Sequence, residues 1–224
     1  MIDLKPNDKR AKNAMSLIWI ILFLEVVSLF SWHLQYDFLL DAANGAEITE
    51  EAANSNDLRV QIIAYVFLAA YLISCITFIR WFRRAYFNLH LRVSYLSHKE
   101  GWTAGAWFIP IVSIYIPYRI MKELYIETES VLIKNKIITT RNLTISSITI
   151  WWTLWIVDNA VRQVSNRLSE NADTIESLIT VTLLSMVESV VGIILALSVL
   201  KVIRDYSTLE PLLHEIKEDL EISE

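Results

Sequence analysis

Four long apolar runs separated by charged stretches organise this 224-residue chain: 14–34, 60–79, 143–161 and 177–200. A helix needs roughly 20 mainly apolar residues, at 1.5 Å rise each, to cross a bilayer. All four runs approach or exceed that length, which predicts an all-α, multipass membrane bundle. A fifth apolar stretch, 102–118, reads WTAGAWFIPIVSIYIPY. Pro110 and Pro117 each remove a helical hydrogen bond, so this stretch predicts a broken element. Broken backbone at membrane depth must be buried in protein or line a wet cavity. The segment reads as re-entrant or interfacial, with a true fifth span as the alternative.

Between the second and third runs the period changes. Over 80–99, Phe82, Ala85, Tyr86, Leu89, Val93 and Leu96 recur at three- and four-residue spacing, with Arg80, Arg83, Arg84 and Arg92 mostly off the stripe. This predicts a basic amphipathic helix in the headgroup plane, with anionic lipids as its partners at those arginines. Over 119–133, Ile120, Met121, Leu124, Tyr125, Thr128, Val131 and Leu132 form a second stripe, and Lys122, Glu123, Glu127 and Glu129 fall largely opposite. The whole of 80–142 is therefore expected on one side of the membrane. An acidic tail, 205–224, carries Glu210, Glu215, Glu218, Asp219, Glu221 and Glu224 and predicts a solvated end.

Composition supports lipid as solvent, with 54% hydrophobic residues and mean hydropathy +0.40. The length suits a single helical membrane domain over 1–224. Charge then orients it. Of the 20 Lys and Arg residues, 17 fall in 1–13, 80–142 and 201–224, leaving Arg59, Arg162 and Arg167 opposite. The positive-inside rule places both termini in the cytoplasm and 35–59 outside, as an acidic solvated loop. A fifth span would weaken that asymmetry to 11 against 9. The basic residues before the first run suggest a leader, but the run is long for one, so a retained first helix is expected. Trp19, Trp32 and Trp81 suit interfacial belts. The single cysteine, Cys75, forms no intrachain disulfide.

Ionisable residues inside spans are costly and mark candidate function. Glu25 and Glu188 fall at matching depth, roughly 16–18 Å from the inner ends of their runs at 1.5 Å per residue. If their helices are neighbours, the two carboxyls would share a proton or bind a cation; otherwise each is a separate hydrogen-bonded acid. Asp158 and Arg162, four apart, share one helix face with Trp151 and Trp155 towards the inner end. That face, with Asn159 beside it, is either a structural ion pair or an outward-opening pocket. Trp107, Pro110, Ser113 and Pro117 of the broken segment, with Trp151 and Trp155, form a second candidate pocket. His33, His90, His98 and His214 lack metal-ligand spacing, and neither a nucleotide loop nor a nucleophile signature is present. No cofactor, metal or nucleic-acid partner is expected.

Three stretches in order carry a resemblance: WFRRAYFNL (81–89), WFIPIVSIYIPYRIMKEL (107–124) and WWTLWIVDN (151–159). They resemble a bacterial membrane family known as domain of unknown function 4328. The resemblance implies a multipass protein of the bacterial cytoplasmic membrane and supplies no activity. Ser113 stands where that family often has Asn, and Asp158–Asn159 where a Ser–Asn pair is common. The expectation is a noncatalytic bundle binding a lipid, small solute or partner protein. The alternative is a small transporter or proton-coupled channel using Glu25 and Glu188.

Overall fold

A computed structural model describes residues 4–216. Glu218, Asp219, Glu221 and Glu224 of the acidic tail lie outside the described residues. The helices are α1 (Asp8–Ala43), α2 (Glu50–His90), α3 (Trp102–Gly105), α4 (Pro110–Ser113), α5 (Ile116–Lys134), α6 (Ile145–Ser169) and α7 (Ile175–Leu209). Short 3-10 turns occupy Ala106–Phe108 and Glu210–Glu215. Among the described residues there is no strand. Helices α1, α2 and α7 are long and apolar enough to cross a membrane. The pair Trp102–Phe108 and Pro110–Lys134, bent by 120°, would make a fourth if taken as one broken span.

Several expectations change here. The run 143–161 folds as α6 but is not among the helices apolar enough to span. Its apolar residues alternate with Ser147, Asp158, Arg162 and Ser165, and the protein buries Ser147, Asp158 and Ser165. The solvated loop expected at 35–59 is mostly helix, because α1 runs on to Ala43 and α2 begins at Glu50. An apolar run reports where side chains stop suiting lipid, whereas the backbone helix continues as long as its own hydrogen bonds do. The 41 residues of α2 extend about 60 Å, twice a hydrocarbon core of roughly 30 Å. The in-plane helix expected over 80–99 is likewise the end of α2, which stops at His90.

The chain forms two compact units. One comprises 16–74 and 151–199. It turns Phe23, Phe30, Leu68, Leu72, Ile73, Val187, Ile194 and Leu197 outward, a surface suited to lipid. The turn between α1 and α2 closes on Gly45, whose φ of 86° favours glycine. Ala46 N–H donates to the Asp41 carbonyl at 3.0 Å and Gly45 N–H to that of Ala42 at 3.1 Å. These two bonds satisfy carbonyls that the helix end would leave bare. The Thr174 hydroxyl accepts from Ser177 N–H at 3.1 Å and so caps α7.

The other unit comprises the chain up to Met15, Cys75–Ile150 and the chain from Leu200. Its interior is largely aromatic and aliphatic. Trp81, Phe82, Tyr86, Leu89, Ile120, Met121, Leu124, Tyr125, Ile203 and Tyr206 are completely buried. The stripe at 82–93 therefore faces protein, and Trp81 is core rather than belt. Tyr206 stands edge-on to Trp81 and stacks on Tyr125, each at 6.2 Å between centroids. The Tyr125 hydroxyl donates to the Val202 carbonyl at 2.9 Å. The stripe on α5 is buried as its spacing predicts, but Glu129 joins it. Its carboxylate accepts the backbone N–H groups of Asn142 and Leu143, at 2.5 and 2.6 Å, and fixes the approach to α6. On the opposite side of α5, Glu123 accepts both Ser97 N–H and Ser97 O–H at 2.8 Å, pinning the segment after α2.

The broken segment packs on one side only. Thr103 and Ala106 are buried, and Trp107 meets Phe78 edge-on at 6.0 Å. Phe108 and Ile111 are 78% and 84% exposed, so the burial that a broken backbone at membrane depth requires is met on one face of the segment and not at these two side chains. A Cβ at Gly101 or Gly105 would meet nothing, so neither glycine serves a close approach.

Glu210, expected in solvent, is buried. It accepts hydrogen bonds from Asn7 Nδ2 at 2.8 Å and Asn88 Nδ2 at 2.7 Å. Asn88 also brackets Lys5, accepting its N–H at 3.0 Å and donating to its carbonyl at 2.9 Å. The start of α1, the end of α2 and the end of α7 are thus tied through one carboxyl group. Ten residues beyond the last apolar run, its pKa is raised to about 7. Burial is the main cause; the Asn7 and Asn88 hydrogen bonds oppose it.

Two predictions follow from these contacts. A raised folded pKa means that the native state holds the proton after the unfolded chain has released it. Stability from this group is therefore full below about pH 4.5 and falls as pH rises to about 7. Glu210→Gln should flatten the fall in melting temperature between those limits; an unchanged slope would assign it to other groups. Separately, Lys136 holds φ at 58° to end α5, with Ile137 N–H donating to the Leu132 carbonyl at 3.0 Å. Lys136→Gly should raise stability by about 0.5–1 kcal/mol, measured by denaturant titration, since a side chain is strained there.

Candidate functional site

The unit built from 16–74 and 151–199 holds a partly open cavity of about 340 Å³. Helical periodicity sets its lining. Glu25, Ser28 and Trp32 lie at i, i+3 and i+7 on α1, with Ser31 beside them. Val60, Ile63, Ala64, Phe67 and Tyr71 supply an apolar and aromatic wall from α2. Asn159 and Arg162 come from α6, and Ser185, Glu188 and Ser189 from α7. Phe67 and Tyr71 stack at 6.4 Å.

Charge in this cavity is concentrated around Arg162. Its guanidinium lies 3.5 Å from Asp158 Oδ2 and 3.7 Å from Glu188 Oε2. Glu25, 5% exposed, takes a hydrogen bond from Ser189 and lies within electrostatic range of Arg162, Asp158 and Glu188. Asp158 Oδ1 and Glu188 Oε1 are buried without a hydrogen-bond partner. Removing a charge from water is strongly unfavourable unless it is paired. One guanidinium faces three carboxyl groups here, so the site has acceptor capacity beyond what Arg162 satisfies. Gly192, one turn beyond Glu188, makes the arrangement possible: a Cβ there would collide with the Glu25 carboxylate. At the other end Arg59 donates to Ser31 Oγ at 3.1 Å and to Asn56 Oδ1 at 2.7 Å, joining the cavity wall to a buried polar cluster.

Of the residues singled out from sequence, Glu25, Glu188, Asn159 and Arg162 line this one cavity, and Asp158 stands behind Arg162. Trp151 and Trp155 do not line it; they form an aromatic ladder through Trp152, at 5.3 and 4.7 Å. Trp107, Pro110, Ser113 and Pro117 do not line it either. Ser113 Oγ donates to the Pro110 carbonyl at 2.7 Å and is spent within its own turn. Trp32 is a cavity wall as well as a candidate belt residue. Sequence reasoning missed Ser28, Ser31, Ser185, Ser189 and Gly192. Part of their signal was legible: Ser28 lies three from Glu25, and Ser185 and Gly192 lie three and four from Glu188, small positions on the faces of the two glutamates. Among the described residues, no group of three or more His, Cys, Asp or Glu side chains could hold a metal ion.

The carboxyl groups give a sharp pair of outcomes. Glu188→Gln keeps the size and hydrogen-bonding capacity of the side chain and should leave a folded protein. Glu188→Lys sets a second cation against Arg162 and should cost about 3–5 kcal/mol. Size-exclusion profiles and melting curves in detergent check this; equal behaviour of the two variants would contradict a paired site.

No curated protein and no solved structure matches the chain. Residues 44–208, most of its length, match the model described as Domain of unknown function (DUF4328); the match covers the cavity residues on α2, α6 and α7 and leaves out α1 with Glu25. The chain belongs to the DUF4328 family.

Proposed function

We propose that this protein is a noncatalytic membrane bundle that binds a small cationic solute in the cavity between Glu25, Arg162 and Glu188. The observation that carries the reading is the excess of carboxyl over guanidinium groups in an aromatic-walled cavity. A volume of about 340 Å³ lies at the small-molecule end of ligand sites. Trp32, Phe67 and Tyr71 offer ring faces that attract a cation, and the unpartnered Glu188 oxygen offers it a counter-charge. The setting is the bacterial cytoplasmic membrane with both termini cytoplasmic, a reading supported by the bias of Lys and Arg towards 1–13, 80–142 and 201–224.

A second reading is a small transporter coupled to protons. It is favoured by the same two glutamates sharing one cavity with Ser28, Ser185 and Ser189, groups able to pass a proton along hydrogen bonds.

The test is thermal unfolding of the full chain in detergent with tetraethylammonium or guanidinium at millimolar concentration, against urea and acetate. The cations should raise the melting temperature, urea and acetate should not, and Glu25→Gln or Glu188→Gln should abolish the rise. No rise with either cation, or the same rise in both variants, would overturn the binding reading. Cation-stimulated proton movement in liposomes, lost in the same variants, would establish the transport reading.

A further inference from the structure

The start of α1 lies along the end of α2, held at three points. Lys5 is bracketed by Asn88, Asn7 Nδ2 donates to the Trp81 carbonyl at 3.3 Å, and Arg10 Nη1 donates to the Arg80 carbonyl at 3.1 Å. This pairing brings cations together. Lys5 Nζ stands 4.5 Å from the Phe87 ring centroid, and the Arg84 guanidinium carbon lies 5.7 Å from the same centroid. Arg10 lies within electrostatic range of Arg84, Arg80 and Arg83, and its pKa is lowered from the ordinary value, by burial first and by those like charges next.

Counter-charge is scarce. Arg83 is withdrawn by Glu100, 2.6 Å from its Nε, and Arg92 Nε donates to the Leu213 carbonyl at 3.1 Å. Among the described residues, no carboxylate lies within ion-pairing distance of Lys5, Arg10, Arg80 or Arg84. Glu210 lies in electrostatic range of Arg84 and of Asp8, and its oxygens are occupied by Asn7 and Asn88. Like charges gathered at backbone-fixed positions repel unless an anion joins them. Arg80 directly follows the second apolar run and Arg10 precedes the first by four residues, so both stand where lipid phosphates lie.

We propose that Lys5, Arg10, Arg80 and Arg84 form a seat for a phosphate group, with Phe87 fixing two of the four cations. It is distinct from the cationic-solute cavity and does not rest on it. The set differs from the one that sequence spacing suggests, with Lys5 and Arg10 in place of Arg83 and Arg92. Guanidinium groups suit this role because their planar fork of donors matches phosphate oxygens.

Native mass spectrometry of the full chain from detergent, with dioleoyl phosphatidylglycerol, dioleoyl phosphatidylcholine or inorganic phosphate added separately, tests the proposal. The phosphatidylglycerol adduct should survive at higher activation energy than the phosphatidylcholine adduct. Its apparent affinity should fall about tenfold or more in Arg10→Gln/Arg84→Gln. Arg10→Lys/Arg84→Lys should recover part of the loss, and Arg83→Gln should leave binding unchanged. Should the double variant fail to fold, as judged by circular dichroism, Arg80→Gln serves alone, since Arg10 is held by the backbone carbonyl of that residue. Displacement of phosphatidylglycerol by millimolar phosphate would identify the free anion as the occupant; resistance to displacement identifies the lipid headgroup. Equal retention of the two lipids with no phosphate adduct, or undiminished phosphatidylglycerol binding in the folded variants, would overturn the seat.

Discussion

A guanidinium surrounded by apolar helices must be compensated on the spot, and much of the lipid-suited unit is arranged around that requirement. Arg162 draws Asp158 from its own helix and Glu188 from α7. Glu25 on α1 enters the same electrostatic field. Three helices are thereby committed to present particular faces to one another. The fourth, α2, brings no charge to the lining and supplies bulk and aromatic surface instead. Small residues then become necessary rather than incidental. Gly192 leaves room for the Glu25 carboxylate, and serines at 28, 185 and 189 provide hydroxyls without filling the space.

The second unit solves a different problem. Its burial is complete at Trp81, Tyr86, Tyr125 and Tyr206, and the Tyr125 hydroxyl is matched to a backbone carbonyl, as buried hydroxyls are in water-soluble cores. The long helices serve both chemistries because the α-helix satisfies its own backbone in lipid and water alike. Side-chain character changes along α2 while the backbone does not. At the exposed edge of the broken segment, Phe108, Ile111 and Ile114 present apolar surface that neither a soluble core nor the local turn covers.

What was legible in the sequence follows from these two environments. The all-α class and three lipid-length helices were legible because apolar run length is a direct physical requirement of a bilayer. Glu25, Arg162 and Glu188 stood out for the complementary reason, being costly where they lie. Pairing was not legible: whether α1, α6 and α7 meet depends on which faces pack, and depth alone does not choose a face. The stripe at 82–93 was visible as a stripe, but spacing cannot distinguish a face turned to lipid from one turned to protein. Glu129 and Glu210 were misplaced for a related reason. A carboxylate that accepts backbone or amide N–H groups can be buried, and composition carries no mark of the donors.

The tie between Asn7 and Glu210 joins groups 203 positions apart. A ribosome releases residue 7 long before residue 210, so during synthesis the Asn7 amide lacks its carboxyl partner until most of the chain is made. The unit containing that contact cannot close until α7 has been made, after the apolar helices have met the membrane. Assembly of this protein therefore ends where the chain began, with its earliest residues among the last to find their place.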